Sequence, residues 1–215
     1  MPIIEILSLA GLIAFACSGV VAGYPKNVDL FGAVVLGVVT AIGGGTLRDL
    51  LIGADPVFWV REPWSLVAAI SASIVAFFLV NWRHQTGNAL AYLDGAGLAL
   101  FSILGTRIAV EDGLPTVIAI TVGVITGCSG GVMRDVLTNR VPFVFTRELY
   151  ATAALGGSAV FWFLKDHPPW ASVCGAAAVM MLRFGSIHYG WSLPRIRETE
   201  EAVKKATERK QEDPE

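Results

Sequence analysis

The 215-residue chain is 54% hydrophobic and 16% charged, against roughly 45–50% and about 25% in an average soluble domain, which excludes an ordinary water-soluble globule. A net charge of −2 gives no basic footprint for nucleic acid. Cys17, Cys128 and Cys174 are odd in number and lack motif spacing, so neither a disulfide framework nor a thiolate metal site follows.

A helix needs about 20 apolar residues to cross a hydrocarbon core of ~30 Å, and seven segments approach that length: Ile3–Gly23, Val28–Leu47, Trp64–Trp82, Ala89–Val110, Leu114–Met133, Leu149–Leu164 and Trp170–Ile187. The first has no basic n-region and exceeds the apolar stretch of a signal peptide, so it is expected to remain as a helix. The fourth contains Asp94 and the sixth is short. Trp59, Trp64, Trp82, Trp170 and Trp191 fall at or near segment ends, where an aromatic belt would put them. His84, His167 and His188 also sit near ends, which suits interfacial placement better than metal ligation. Arg183, near the end of the seventh segment, is expected to snorkel to the inner interface.

With the N-terminus outside, the inner loops receive Lys26, Arg83, Arg134, Arg140, Arg147 and the basic residues from Arg195 onward, leaving Arg48, Arg61, Arg107 and Lys165 outside. The positive-inside bias therefore favours an N-out, C-in topology. Residues 194–215 hold six of the 16 Lys+Arg and seven of the 18 Asp+Glu, a mixed-sign run that reads as a solvated cytoplasmic tail.

The chain matches itself at an offset of 86 residues. GGGTLRDLL (43–51) falls on SGGVMRDVL (129–137). Ala10, Gly11, Leu12, Phe15 and Gly19 fall on Ala96, Gly97, Leu98, Phe101 and Gly105 without a gap, and Pro56, Arg61 and Glu62 fall on Pro142, Arg147 and Glu148. Each copy holds three segments, so the second would enter the bilayer upside down. The expected fold is an all-α polytopic membrane protein of seven transmembrane helices: a first repeat at 3–82, an inverted second repeat at 89–165, an extra helix at 170–190 and the tail at 194–215. Inverted repeats place a permeation or substrate path at their interface.

Gly43, Gly44 and Gly45 in the second segment, and Ser129, Gly130 and Gly131 in the fifth, weaken their helices, glycine costing ~1 kcal/mol relative to alanine. A kink or unwound stretch there would free carbonyls, which favour a cation where they face water or buried protein. Arg48/Asp49 and Arg134/Asp135 follow in each copy. An ionised side chain at the bilayer centre costs about 2.5–3.5 kcal/mol on the insertion scale, so these four must be paired, hydrated or near an interface. Each pair could simply end its helix; recurrence behind both glycine breaks favours a vestibule. Asp94, whose repeat equivalent is Ser8, reads equally as an interfacial cap or as a pore-facing cation ligand.

GGGTLRD and SGGVMRD, each inside a three-helix repeat and preceded by FACSG (15–19) and FSILG (101–105), resemble the prokaryotic members of the trimeric intracellular cation (TRIC) channel family over residues 5 to about 190. The resemblance implies a homotrimer in a bacterial or archaeal inner membrane, with a pore in each protomer lined chiefly by the first, second, fourth and fifth helices. It implies kinks at Gly43, Gly44, Gly45, Gly130 and Gly131, with Arg48, Asp49, Arg134 and Asp135 close by. It also implies permeant K+ or Na+, no cofactor and no bound metal. Ser129 departs from the glycine triplet, and its hydroxyl could line the path. The same sequence family carries a glycine-transporter label, so a secondary carrier of a small amino acid stands beside the channel. A membrane enzyme finds no support in an HExxH or P-loop motif.

Overall fold

The computed structural model describes residues 2–83, 88–146 and 149–191, and the regular elements among them are all helical. His84, Arg147, Glu148 and the 194–215 tail lie outside the described residues.

In chain order the helices are α1 (Pro2–Gly23), α2 (Leu30–Ile52), α3 (Phe58–Arg61), α4 (Trp64–Arg83), α5 (Ala89–Glu111), α6 (Thr116–Leu137), α7 (Phe143–Thr146), α8 (Ala151–Phe163) and α9 (Trp170–Tyr189). Local chemistry sets several boundaries. Asp29 caps α2, its Oδ1 accepting from the Gly32 N–H at 2.7 Å. The residues that turn the chain recur at the 86-residue offset: Asn27 and Gly113 hold φ of 53° and 74°, and Gly53 and Asn139 hold 75° and 52°. Glycine and asparagine take left-handed backbone at least cost.

Among the described residues, five helices, α1, α2, α5, α6 and α9, are long and apolar enough to cross a membrane, while Trp64–Val80 and Ala151–Phe163 form shorter apolar helices. At 13 residues, α8 is about 20 Å long, short of the ~30 Å hydrocarbon core. Two expected ends fall short of the observed ones: α2 continues past Leu47 to Ile52, and α6 past Met133 to Leu137. Both Arg-Asp pairs therefore lie inside helix.

The glycine triplets do not unwind their helices. Helical structure runs unbroken through Gly43–Gly45 and through Ser129–Gly131. Their role is close approach. A Cβ at Gly44 would collide with the Thr126 carbonyl oxygen, and one at Gly130 with the Thr40 carbonyl oxygen. Both pairs are related by the same offset, so one reciprocal contact makes α2 and α6 cross antiparallel. Small residues suit this task because apolar lipid gives no hydrophobic drive for helices to associate, leaving packing to hold them. The flanking Thr40 and Thr126 hydroxyls are satisfied within their own helices, donating to Leu36 and Val122 carbonyls at 2.6 Å each.

α1 and α5 also pack on each other, Gly97 facing the Phe15 ring and Gly11 the Phe101 ring, and α9 packs on α5 and α8. Phe31, Val117, Phe145 and Phe163 are 75–78% exposed. Side chains of this kind would be a liability in water and are what a lipid-facing surface carries.

Candidate functional site

The two Arg-Asp pairs build the same local structure. Arg48 Nε donates to Asp49 Oδ1 at 2.8 Å, and Arg134 Nε donates to Asp135 Oδ1 at 2.8 Å. The second carboxylate oxygen accepts a backbone N–H from the short helix that follows: Phe58 N to Asp49 Oδ2 at 2.6 Å, and Phe143 N to Asp135 Oδ2 at 3.0 Å. Each guanidinium then lies over the ring of that phenylalanine, 5.5 Å from the Phe58 centroid and 5.0 Å from that of Phe143. The aspartate thus divides its charge between a neighbouring cation and the chain folding back over the helix end. This explains an Arg-Asp pair at the end of each of these two helices without assigning either carboxylate to an ion path.

Beyond this shared clasp the halves diverge. Arg134 Nη1 donates to Asp94 Oδ1 at 2.6 Å and to Ser18 Oγ at 3.1 Å, and the Tyr150 hydroxyl donates to the same Asp94 oxygen at 3.2 Å. Arg183 lies 4.9 Å from the centre of the Tyr150 ring. Asp94, Arg134 and Asp135 are fully buried, and Arg183 nearly so. Asp94 is therefore no helix cap, since Asn88 holds that position on α5, and it is closed off from water. Arg183 does not snorkel. Its helix turns it inward to Tyr150, where two arginines and two aspartates balance in charge. Ser129 is likewise turned back on its helix, donating to the Ile125 carbonyl at 2.6 Å. GCSGG at 127–131 has the spelling of a serine-nucleophile turn, but the serine sits in mid-helix rather than on a strand-to-helix bend.

At the Arg48 end the residues equivalent to Asp94, Ser18 and Tyr150 are Ser8, Leu104 and Trp64, which cannot make that network. A cavity of about 380 Å³ lies there instead. Arg48 and Asp49 line it, with Glu5 and Ser8 from α1, Arg61 and Glu62 around α3, and Asp112 after α5. Four carboxylates face two guanidiniums, an excess of two negative charges. A cleft lined by one sign of charge concentrates the opposite ion.

The cavity and the buried network are joined along two helices. Glu5, Ser8 and Leu12 of α1 line the cavity, and Ser18 binds Arg134; on α5, Ile108, Leu104 and Phe101 line the cavity and Asp94 binds Arg134. The start of α1 meets the end of α5, so these helices run antiparallel.

Among the site residues, the sequence pattern marks both Arg-Asp pairs and Asp94. It passes over Tyr150, Ser18, Glu5 and Asp112. A lone arginine in an apolar 20-mer is a signal of an interior role, and it was available for Arg183.

The fold and site define an all-helical membrane protein of the channel or transporter type, built from two matching helical units. A family model described as "Glycine transporter" matches residues 5–81 and again 91–166. The chain is 40% identical over 192 residues to a UPF0126 membrane protein of Deinococcus radiodurans, covering 87% of this chain and 89% of that one. It is 37% identical over 193 residues to the UPF0126 inner membrane protein YadS of Escherichia coli, covering 87% and 93%. Among solved structures, the TRIC trimeric intracellular cation channel orthologue of Rhodobacter sphaeroides superposes with a TM-score of 0.84 at 37% identity, covering 88% of this chain and all of that one. The chain belongs to this family of membrane proteins, which the glycine-transporter model describes and which includes the prokaryotic TRIC channels.

Proposed function

We propose that this protein is a passive channel for monovalent cations, chiefly K+, with one path inside each protomer of a homotrimer. In this reading α4 and α8 complete seven spans, the two units are inverted repeats across a bacterial or archaeal inner membrane, and the N-terminus lies outside. The observation that carries it is the acidic cavity at the Arg48–Asp49 end, continued by α1 and α5 toward a charge-balanced network at the Arg134 end. Cations would gather in the open mouth, and the Asp94–Arg134–Tyr150 contacts close the other, making the described conformation a closed one. The likeness to the Rhodobacter sphaeroides cation channel, at this identity and coverage, supports the same reading.

Carriage of glycine is the second reading, favoured by the description of the family model. A carrier of that kind would hold the carboxylate at the N-terminus of a broken helix. The unbroken course of α2 and α6 through their glycines provides no such half-helix at those positions.

Flux from proteoliposomes tests the proposal. Vesicles loaded with K+ and diluted into low-K+ medium should develop an inside-negative potential, read by a cationic dye, with no added substrate. Accumulation of labelled glycine without that potential would overturn the channel reading.

A further inference from the structure

Between the cavity and the buried network, α1 and α5 each contribute one phenylalanine to the connecting strip. Phe101 lines the cavity, and Phe15 lies one turn from Ser18, whose Oγ donates to the Phe15 carbonyl at 2.9 Å as well as accepting from Arg134. The two rings stack with centroids 5.3 Å apart and planes at 30°. Both are nearly inaccessible, at 1% and 3%. They are also repeat equivalents, so the stack brings one position of the sequence motif against its own copy.

Two further equivalents make room for it. A Cβ at Gly97 would collide with the Phe15 ring, and a Cβ at Gly11 would stand 3.0 Å from Phe101 ring carbons. Leu12, Ala16 and Ala41 pack around the pair. Along the helices, Phe15 stands about 5 Å of rise from Ser18, and Phe101 about 10 Å from Asp94. The cavity therefore borders an apolar layer at Leu12 and Phe101, with its own charged residues on one side of that layer and the Arg134 network on the other.

We propose that the Phe15–Phe101 stack is the central barrier of the path: a dry aromatic neck that stops a hydrated cation midway, distinct from the charged contacts that close the Arg134 end. The inference rests on the channel reading and adds to it a position that controls permeation. An ion cannot shed water into an apolar constriction without compensation, and constrictions of this kind gate by dewetting. Conduction then requires the rings to part, so the wettability of position 101 sets the leak more than its volume does.

The test compares purified Phe101→Leu, Phe101→Asn and Phe101→Ala with the wild type in planar bilayers under symmetric KCl, each checked for monodisperse elution and unfolding temperature. Leucine keeps the neck apolar and should hold the wild-type current. Asparagine should raise mean current several-fold, through larger or more frequent openings, and alanine, which widens the neck but keeps it apolar, should raise it less. A purely structural role would instead rank the variants by their unfolding temperatures. If alanine fails to fold, the leucine and asparagine pair still decides the matter. Equal currents in a conducting wild type and the folded asparagine variant would overturn the neck and leave the channel reading intact. Silence of folded wild type and asparagine variant alike would overturn the neck as the controlling barrier and leave closure to the contacts at the Arg134 end. The channel reading is judged separately by the K+ and glycine fluxes of the wild type.

Discussion

Arg134 Nη1 stands 2.6 Å from Asp94 Oδ1, joining α6 to α5 through two side chains with no exposure to solvent. Removing one member of such a pair leaves a buried charge without its partner, at a cost of about 3–5 kcal/mol. Arg134→Met should therefore lower the unfolding temperature in detergent markedly. Arg48→Met, which abuts the cavity and has no equivalent of Asp94, should lower it less. The two are compared by fluorescence-monitored thermal unfolding, and equal losses would mean that the interhelical bond contributes little beyond the clasp common to both halves.

Gly44 and Gly130 face carbonyl oxygens, which belong to a backbone and cannot swing aside, whereas a Cβ at Gly43 would meet the thioether end of Met133. Gly44→Ala and Gly130→Ala should each cost about 1–3 kcal/mol through overpacking, and Gly43→Ala should cost clearly less. Thermal unfolding of the three single variants checks the order. A Gly43 variant as unstable as the other two would point to helix propensity or bending rather than to the α2–α6 crossing.

The location of the glycines was legible in the sequence, but their effect was not. GGG and SGG read as weak points because propensity is a local quantity. The structure uses them for an approach between helices that are 86 residues apart, which no local scale reports. The self-match was similarly legible in Gly11, Phe15 and Gly19 against Gly97, Phe101 and Gly105, whereas the stack that joins Phe15 to Phe101 required the antiparallel crossing. Arg183 was misread for the same reason: its distance from a segment end suggested snorkelling, and the Tyr150 ring that receives it arrives from another helix. Glu5 and Asp112 lie 107 positions apart, and only the fold brings them to one cavity.

If the cavity is the mouth of the proposed path, its acidic excess should make conductance depend on salt. Glu5→Gln with Asp112→Asn removes two carboxylates that have no part in the Arg48–Asp49 clasp. At about 0.01–0.1 M ionic strength, where the Debye length is roughly 30–10 Å, the double variant should conduct less K+ than the wild type. Near 1 M, where screening acts within about 3 Å, the two should converge. Conductance measured across a KCl series checks this, and a constant ratio at all concentrations would count against electrostatic concentration in the mouth.

The central claim is passive cation conduction, and recording from purified protein in a planar bilayer under a KCl gradient tests it most directly. Discrete openings that reverse near the K+ equilibrium potential, in the absence of any amino acid, are the predicted result. A folded preparation that stays silent across voltage and salt, yet accumulates labelled glycine in liposomes, would contradict it.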